Sequence, residues 1–171
     1  MSMPSRLPMS DWSKARNAFV KLVESDPELK AAGCRIVQLD GDPLPQWQSG
    51  PTLAQTPWIR IQTQGSPERW PAHWETEGQH SAPLIMDVQI ATSGFRESDF
   101  LDLWGAIVKA IYPGVPGSER RLAKERIMID SRICQITMTR VPTPLPPPPG
   151  KPAMLIGSGA FRIDISISTK E

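Results

Sequence analysis

The chain has 171 residues, of which 39% are hydrophobic and 22% charged, with a net charge of +1. That length supports one domain with its own core, and the near-zero charge argues against a nucleic-acid binder held by phosphate contacts, which needs a basic face. No apolar run approaches the ~18 residues of a membrane span, and the N-terminal "MSMPSRLPMSDW" lacks the apolar core of a signal peptide, so a cytoplasmic product is expected.

Residues 11–24, "DWSKARNAFVKLVE", read as an amphipathic helix capped by Asp11, with Trp12, Ala15, Phe19, Leu22 and Val23 on the buried stripe. "DPELKAAG" (26–33) adds a short helical turn, with Pro27 at its first position and Gly33 as a left-handed stop. "CRIVQL" (34–39) and "WIRIQ" (58–62) are strand candidates. Between them and after them lie two long polar loops, 40–57 and 64–82, of a length that usually signals partner contact or function.

"PLIMDVQIAT" (83–92) alternates apolar and polar and predicts a strand. The next segment, "SGFRESDFLDLWGAIVKAIYPG" (93–114), predicts a helix capped by Ser98, with Phe100, Leu103, Trp104, Ile107, Val108 and Ile111 as its apolar stripe. In "RIMIDSRICQITMTR" (126–140) the apolar phase shifts near Ser131, which implies a bulge or a break into two strands. "GAFRIDISIST" (159–169) alternates strictly, with Phe161, Ile163, Ile165 and Ile167 on one face. It is expected to pair with the preceding strand as a hairpin whose loop is the proline-rich stretch 141–158, projecting toward a neighbour. "GSG" (157–159) reads as the turn that opens the last strand. The order of elements predicts a single α+β domain: a mainly antiparallel sheet of about five strands, flanked by an N-terminal helix and a second amphipathic helix.

No arrangement of residues predicts catalysis, a cofactor or a metal ion. His73 and His80 share a polar loop without other ligand spacing. "GKPAMLIGSG" lacks the order of a phosphate loop. Asp87 and Asp164 are explained by exposed strand faces, and Glu97, Asp99 and Asp102 by the favourable field at a helix start. Cys34 and Cys134 fall in apparent strands and are read as free buried thiols, with a disulfide as the second reading.

The tryptophans say more. Trp12 and Trp104 are expected in the core, and Trp58 in the core or at an edge. Trp47, Trp70 and Trp74 lie in the two long loops, the last two beside Arg69 in "RWPAHWE". Local packing against the sheet explains them, and so does a protein–protein contact, where Trp and Arg are favoured anchors. Pro146, Pro147 and Pro148 of "PTPLPPPP" complete the candidate contact residues. Their P-x-x-P spacing also admits a docking peptide in polyproline II form.

The element order, with "PLIMDVQIATSGFRESDFLDLWGAIVKAIYPG" as strand, turn and helix and "FRIDISIST" as the closing strand, resembles the tail terminator, or tail completion, proteins of long-tailed bacteriophages. The resemblance implies a structural subunit rather than an enzyme. It implies a homo-oligomer, a hexameric ring, that caps the tail tube protein, ends tube polymerisation and offers a surface to the head–tail connector protein. It places the chain in the virion tail after assembly in the host cytoplasm, with no membrane and no sequence-specific nucleic acid among its partners. A head–tail connector or neck protein is the neighbouring alternative.

Overall fold

The first helix, α1, runs from Asp11 to Glu24. Its N-cap is Ser10, whose hydroxyl accepts from the Ser13 backbone N–H at 3.2 Å, while Asp11 lies in the first turn. The expected Asp11 cap is therefore displaced by one residue, and its charge instead faces the positive end of the helix. Ala15, Phe19, Val20 and Val23 form the buried stripe. Trp12 does not join it: it is 37% exposed at the free end of the helix. A large indole is seldom wholly buried, and the stripe starts one turn later. Helix α2, Pro27–Ala31, is capped by the Asp26 carboxylate on the Leu29 N–H and ended by Gly33 at φ 73°.

The computed structural model describes residues 7–38, 56–64, 79–112, 128–129, 132–147, 149–150 and 152–168. Seven strands occur among them: β1 (Arg35–Gln38), β2 (Trp58–Gln64), β3 (Gln79–Ser93), β4 (Met128–Ile129), β5 (Arg132–Ile133), β6 (Gln135–Arg140) and β7 (Met154–Ser168). The third helix, α3, is Glu97–Ile111. Five strands form one sheet in the order β1-β2-β3-β7-β6, and β4 and β5 form a small separate ladder. This is an α+β arrangement. All pairs in the main sheet are antiparallel except β1 with β2, which are parallel. The connection between those two strands is long enough for the crossover that parallel pairing requires.

One sequence expectation holds in the sheet and two are corrected. The apolar phase shift near Ser131 resolves into a break, with β4, β5 and β6 as separate strands and a register irregularity between Met138 and Arg140. Both cysteines lie just outside strands: Cys34 precedes β1 and Cys134 sits between β5 and β6, each a free thiol. Most consequentially, Gly157, Ser158 and Gly159 are not a turn but part of β7, opposite Ile90, Gln89 and Val88. The strand starts at Met154, so the proline-rich connection stops at Ala153. On the other side, β3 starts at Gln79, so the last residues of the expected loop 64–82 are strand.

The expected Ser98 cap of α3 is also absent. The helix starts two residues earlier, with Arg96 as N-cap and no side-chain capping bond. Gly94, at φ 76°, turns the chain directly after β3, and Glu97 and Asp99 supply negative charge to the first turn.

The helices pack on one face of the sheet. Alternation along β2, β3 and β7 sends Ile59, Ile61, Met86, Val88, Ile90 and Phe161 to that face, where they are buried. Phe161 is the hub: Trp104 of α3 stacks on it with centroids 5.4 Å apart, and Phe19 of α1 meets it at 5.5 Å. Gly157 and Gly159 make room for this. A Cβ on Gly157 would fall 2.9 Å from the Phe100 ring and overlap the Thr143 carbonyl, and one on Gly159 would overlap the Trp104 ring. The sequence Gly-Ser-Gly is thus a cradle for two helix aromatics, not a turn. A polar clasp joins α1 to β1: Arg16 donates to the Gln38 side chain at 3.1 Å, and Gln38 donates on to Glu24 at 2.9 Å.

Candidate interaction surface

The far face of the sheet has its own apolar ground. Trp58, Val37 and Ala91 are buried there with half-buried Ile156 against them, and the Arg60 guanidinium lies 5.7 Å from the Trp58 ring. Beyond β6 the chain does not leave the sheet at once. Leu145 and Ile156 exchange both backbone hydrogen bonds, at 3.0 and 2.9 Å. The proline-rich segment therefore continues the edge along β7, and only the residues after this bridge turn away, through Pro149 and Gly150.

The spacing of the prolines explains the kind of edge this makes. Leu145 points its N–H and C=O inward to Ile156. In a strand the neighbouring residues point theirs outward, and here both neighbours, Pro144 and Pro146, have no N–H to present. A strand from another chain finds few donors along this edge. Further along, the Tyr112 hydroxyl donates to the Ile136 carbonyl of β6 at 2.9 Å, so part of the remaining edge is occupied by the chain itself.

What the edge does present is apolar side-chain surface. Val141 is 54% and Leu145 58% exposed. Pairing places Leu145 on the far face beside Ile156, and Pro146 and Pro147 follow it. A groove of about 590 Å³ lies beneath this ridge, bounded on its other side by Gln89, Arg140 and Ser158. Arg140 is fixed there. It meets Asp87 at 2.6 Å and also donates to the backbone carbonyl and hydroxyl of Ser158, at 3.2 and 3.3 Å. Asp87 is therefore a paired group and not simply solvated, while Asp164 pairs with Arg162 at 3.3 Å. A charged pair bordering an apolar ridge is the layout of a protein contact: apolar centre, polar rim.

Of the residues expected to make contacts, Pro146 is exposed and Pro147 half-buried on this ridge. Trp47, Arg69, Trp70, Trp74 and Pro148 lie outside the described residues, as do His73 and residues 40–55 of the first long loop. Val141, Leu145 and Arg140 escaped sequence reasoning. The signal for the first two was present, since they are large apolar residues four apart in a segment that must run past the sheet. Arg140 was unreadable because its partner Asp87 is distant in the chain.

Chemical groups are sparse. Among the described residues no cluster of three or more His, Cys, Asp or Glu side chains is placed to hold a metal ion, and no helix is long and apolar enough to cross a membrane. Burial, with the nearby Asp26 carboxylate adding to it, pushes the Cys34 thiol up, which disfavours the reactive thiolate. Comparison of the sequence with protein-family models and with curated proteins yields no match.

Proposed function

We propose that the chain is a structural assembly subunit, without enzymatic activity, that contacts copies of itself to form a ring. On the resemblance of its element order we assign that ring the role of a hexameric phage tail terminator. It caps the tail tube protein, ends tube polymerisation and meets the head–tail connector protein, within a virion tail assembled in the host cytoplasm. Neither membrane nor sequence-specific nucleic acid enters this role.

The observation that carries the reading is the ridge of Val141, Leu145 and Pro146 along an edge where proline removes the outward donors. A surface shaped in this way favours side-chain docking and resists open-ended strand addition, and a closed ring needs both properties. The same geometry weighs against a free docking peptide. Leu145, in the middle of the proline-rich run, is tied by its backbone to Ile156, and a polyproline II ligand needs that backbone free to lie in a groove.

The test is electron microscopy of the purified chain mixed with tail tubes, together with light scattering of the chain alone. Rings at tube ends, with tube length fixed by their addition, are the expected result. A chain that stays monomeric and leaves tube ends bare refutes the assignment. Rings that sit elsewhere in a virion, at the head, move it to a connector or neck role.

A further inference from the structure

A row of apolar residues crosses the face of the sheet that carries none of the three described helices. It runs from Val37 through Trp58, Ala91 and Ile156 to Leu145, with Trp58 opposite Ala91, and Ile156 opposite both Ala91 and Leu145. Exposure changes sharply along it. Trp58 and Ala91 are 0% and Val37 2% exposed, Ile156 is half-buried, and Leu145 is 58% exposed. Neighbours in the same layer do not close an indole off from water. Arg60 reaches the Trp58 ring at 5.7 Å, but one guanidinium does not bring a side chain of that size to complete burial. A cover therefore lies over the row from β1 to β3 and ends before the ridge.

The topology says which part of the chain supplies it. Both β3 and β6 pair antiparallel with β7, so they run parallel to each other. They are joined through α3, whose Trp104 lies on Phe161, and through β4, which sits beside α1, so this crossover keeps to the helix side. Crossovers between parallel strands are right-handed in about 98% of cases. Viewed from the helix side with β3 pointing up, β6 then lies to its right, and β2 and β1 lie to its left pointing down. With the view turned so that β1 and β2 point up, β2 stands to the left of β1. A connection between them in front of the sheet would be left-handed; the right-handed one passes behind, across the row.

We propose that the row is the docking surface for residues 39–55 of the same chain, the connection from β1 to β2. Its length suffices. The return along β1 takes roughly 13 Å, and a detour over β3 and back to β2 about 15 Å more, against a reach of up to ~56 Å for the extended segment. Leu39, Leu44, Trp47 and Leu53 give it apolar side chains for the row, and it contains no lysine or arginine. The helix-free face is thereby divided. The chain itself covers β1 to β3 and takes Trp47 inward, and the groove between Ile156 and the ridge is the part left for a partner. This division belongs to a single chain and does not depend on the ring.

Photo-crosslinking of the full chain tests it. Benzoylphenylalanine replaces Gln89, on the far face of β3, and in a second protein Leu101, exposed on α3. An equal mixture of isotope-labelled and unlabelled chains separates crosslinks within a chain from those between chains. Position 89 is expected to join residues 39–55 of its own chain whether or not rings form, and position 101 is not. Crosslinks from 89 to 65–78 or 113–127, crosslinks to 39–55 of another chain, or crosslinks from 101 to 39–55 overturn the proposal. A second measurement uses no probe in the sheet. Replacing residues 42–53 by glycine and serine at equal length should raise the hydrogen-exchange rate of the Trp58 indole about ten-fold or more and leave that of Trp104 unchanged. An unchanged Trp58 rate overturns the proposal as well.

Discussion

Gly159 is defined by the atom it lacks. A Cβ there would overlap the Trp104 ring and stand 2.7 Å from the Arg140 carbonyl, and the ring is held in place by its stack on Phe161. Gly159→Ala is expected to cost about 1–3 kcal/mol, the usual penalty of overpacking. Urea unfolding checks it, through a lower midpoint at an unchanged slope. Tyr112 carries a different kind of signature. Burial pushes its phenol above the ordinary value of 10.0, with a hydrogen bond to the Met138 backbone pulling the other way. The folded chain thus holds this proton more tightly than the unfolded chain does. The associated stability is complete below the ordinary phenol value and is lost as pH rises through the higher folded one. Melting temperatures measured from neutral to strongly alkaline pH should fall in that window. Tyr112→Phe should remove this part of the fall, at a cost of about 1 kcal/mol at neutral pH for the lost bond to Ile136. The Cys34 thiol, also pushed up, should react with a disulfide reagent faster after unfolding in urea than in the folded chain.

At the scale of elements, sequence patterns were most legible where a period repeats. The stripes of α1 and α3 and the alternation of β3 and β7 follow directly from residue spacing, because burial of one face imposes the period. Boundaries were less legible, because they depend on contacts outside the element. Ser10 rather than Asp11 caps α1, and the choice is made by which side chain reaches the Ser13 N–H. Ser10→Ala should therefore destabilise by about 1 kcal/mol, while Asp11→Asn, which keeps the cap, should cost less; thermal melts separate them. The reading of Gly157-Ser158-Gly159 as a turn failed for a related reason. Two glycines normally punctuate a chain, but here their partners are Phe100 and Trp104, far away in sequence. The candidate surface was partly legible. Proline content marked residues 141–152 as special, but the inward pairing of Leu145 and the outward silence of Pro144 and Pro146 emerge only from the register.

The whole molecule is asymmetric. One sheet face carries the three helices of the described residues, and the other carries a small apolar ground bordered by the exposed ridge. If the ridge is the contact between copies, placing a charge there should separate the copies and spare the fold. Val141→Asp/Leu145→Asp is expected to melt within about 1 kcal/mol of the parent, since both positions are exposed. It should elute as a monomer and leave tube ends bare. A variant that still forms rings moves the interface elsewhere on the chain. Replacing Pro144 and Pro146 by Thr restores two outward N–H groups. That variant should associate by strand addition without closing, visible as a broad, concentration-dependent size distribution.

The sheet order has a consequence for synthesis. The central strand pairing, β3 with β7 over 15 residues each, joins the middle of the chain to the last of the described strands. Until β7 leaves the ribosome, β3 has one open edge, and its face of Leu84, Met86, Val88 and Ile90 lacks the Phe161 hub. Nascent chains that end before Met154 should be chaperone clients, and those that extend past Ser168 should not. The contrast is measurable by crosslinking of stalled chains, and equal chaperone occupancy on both lengths would show that β1, β2 and β3 settle without their last neighbour. The molecule is thus committed late, in a single step, by the strand whose glycines receive the helix aromatics.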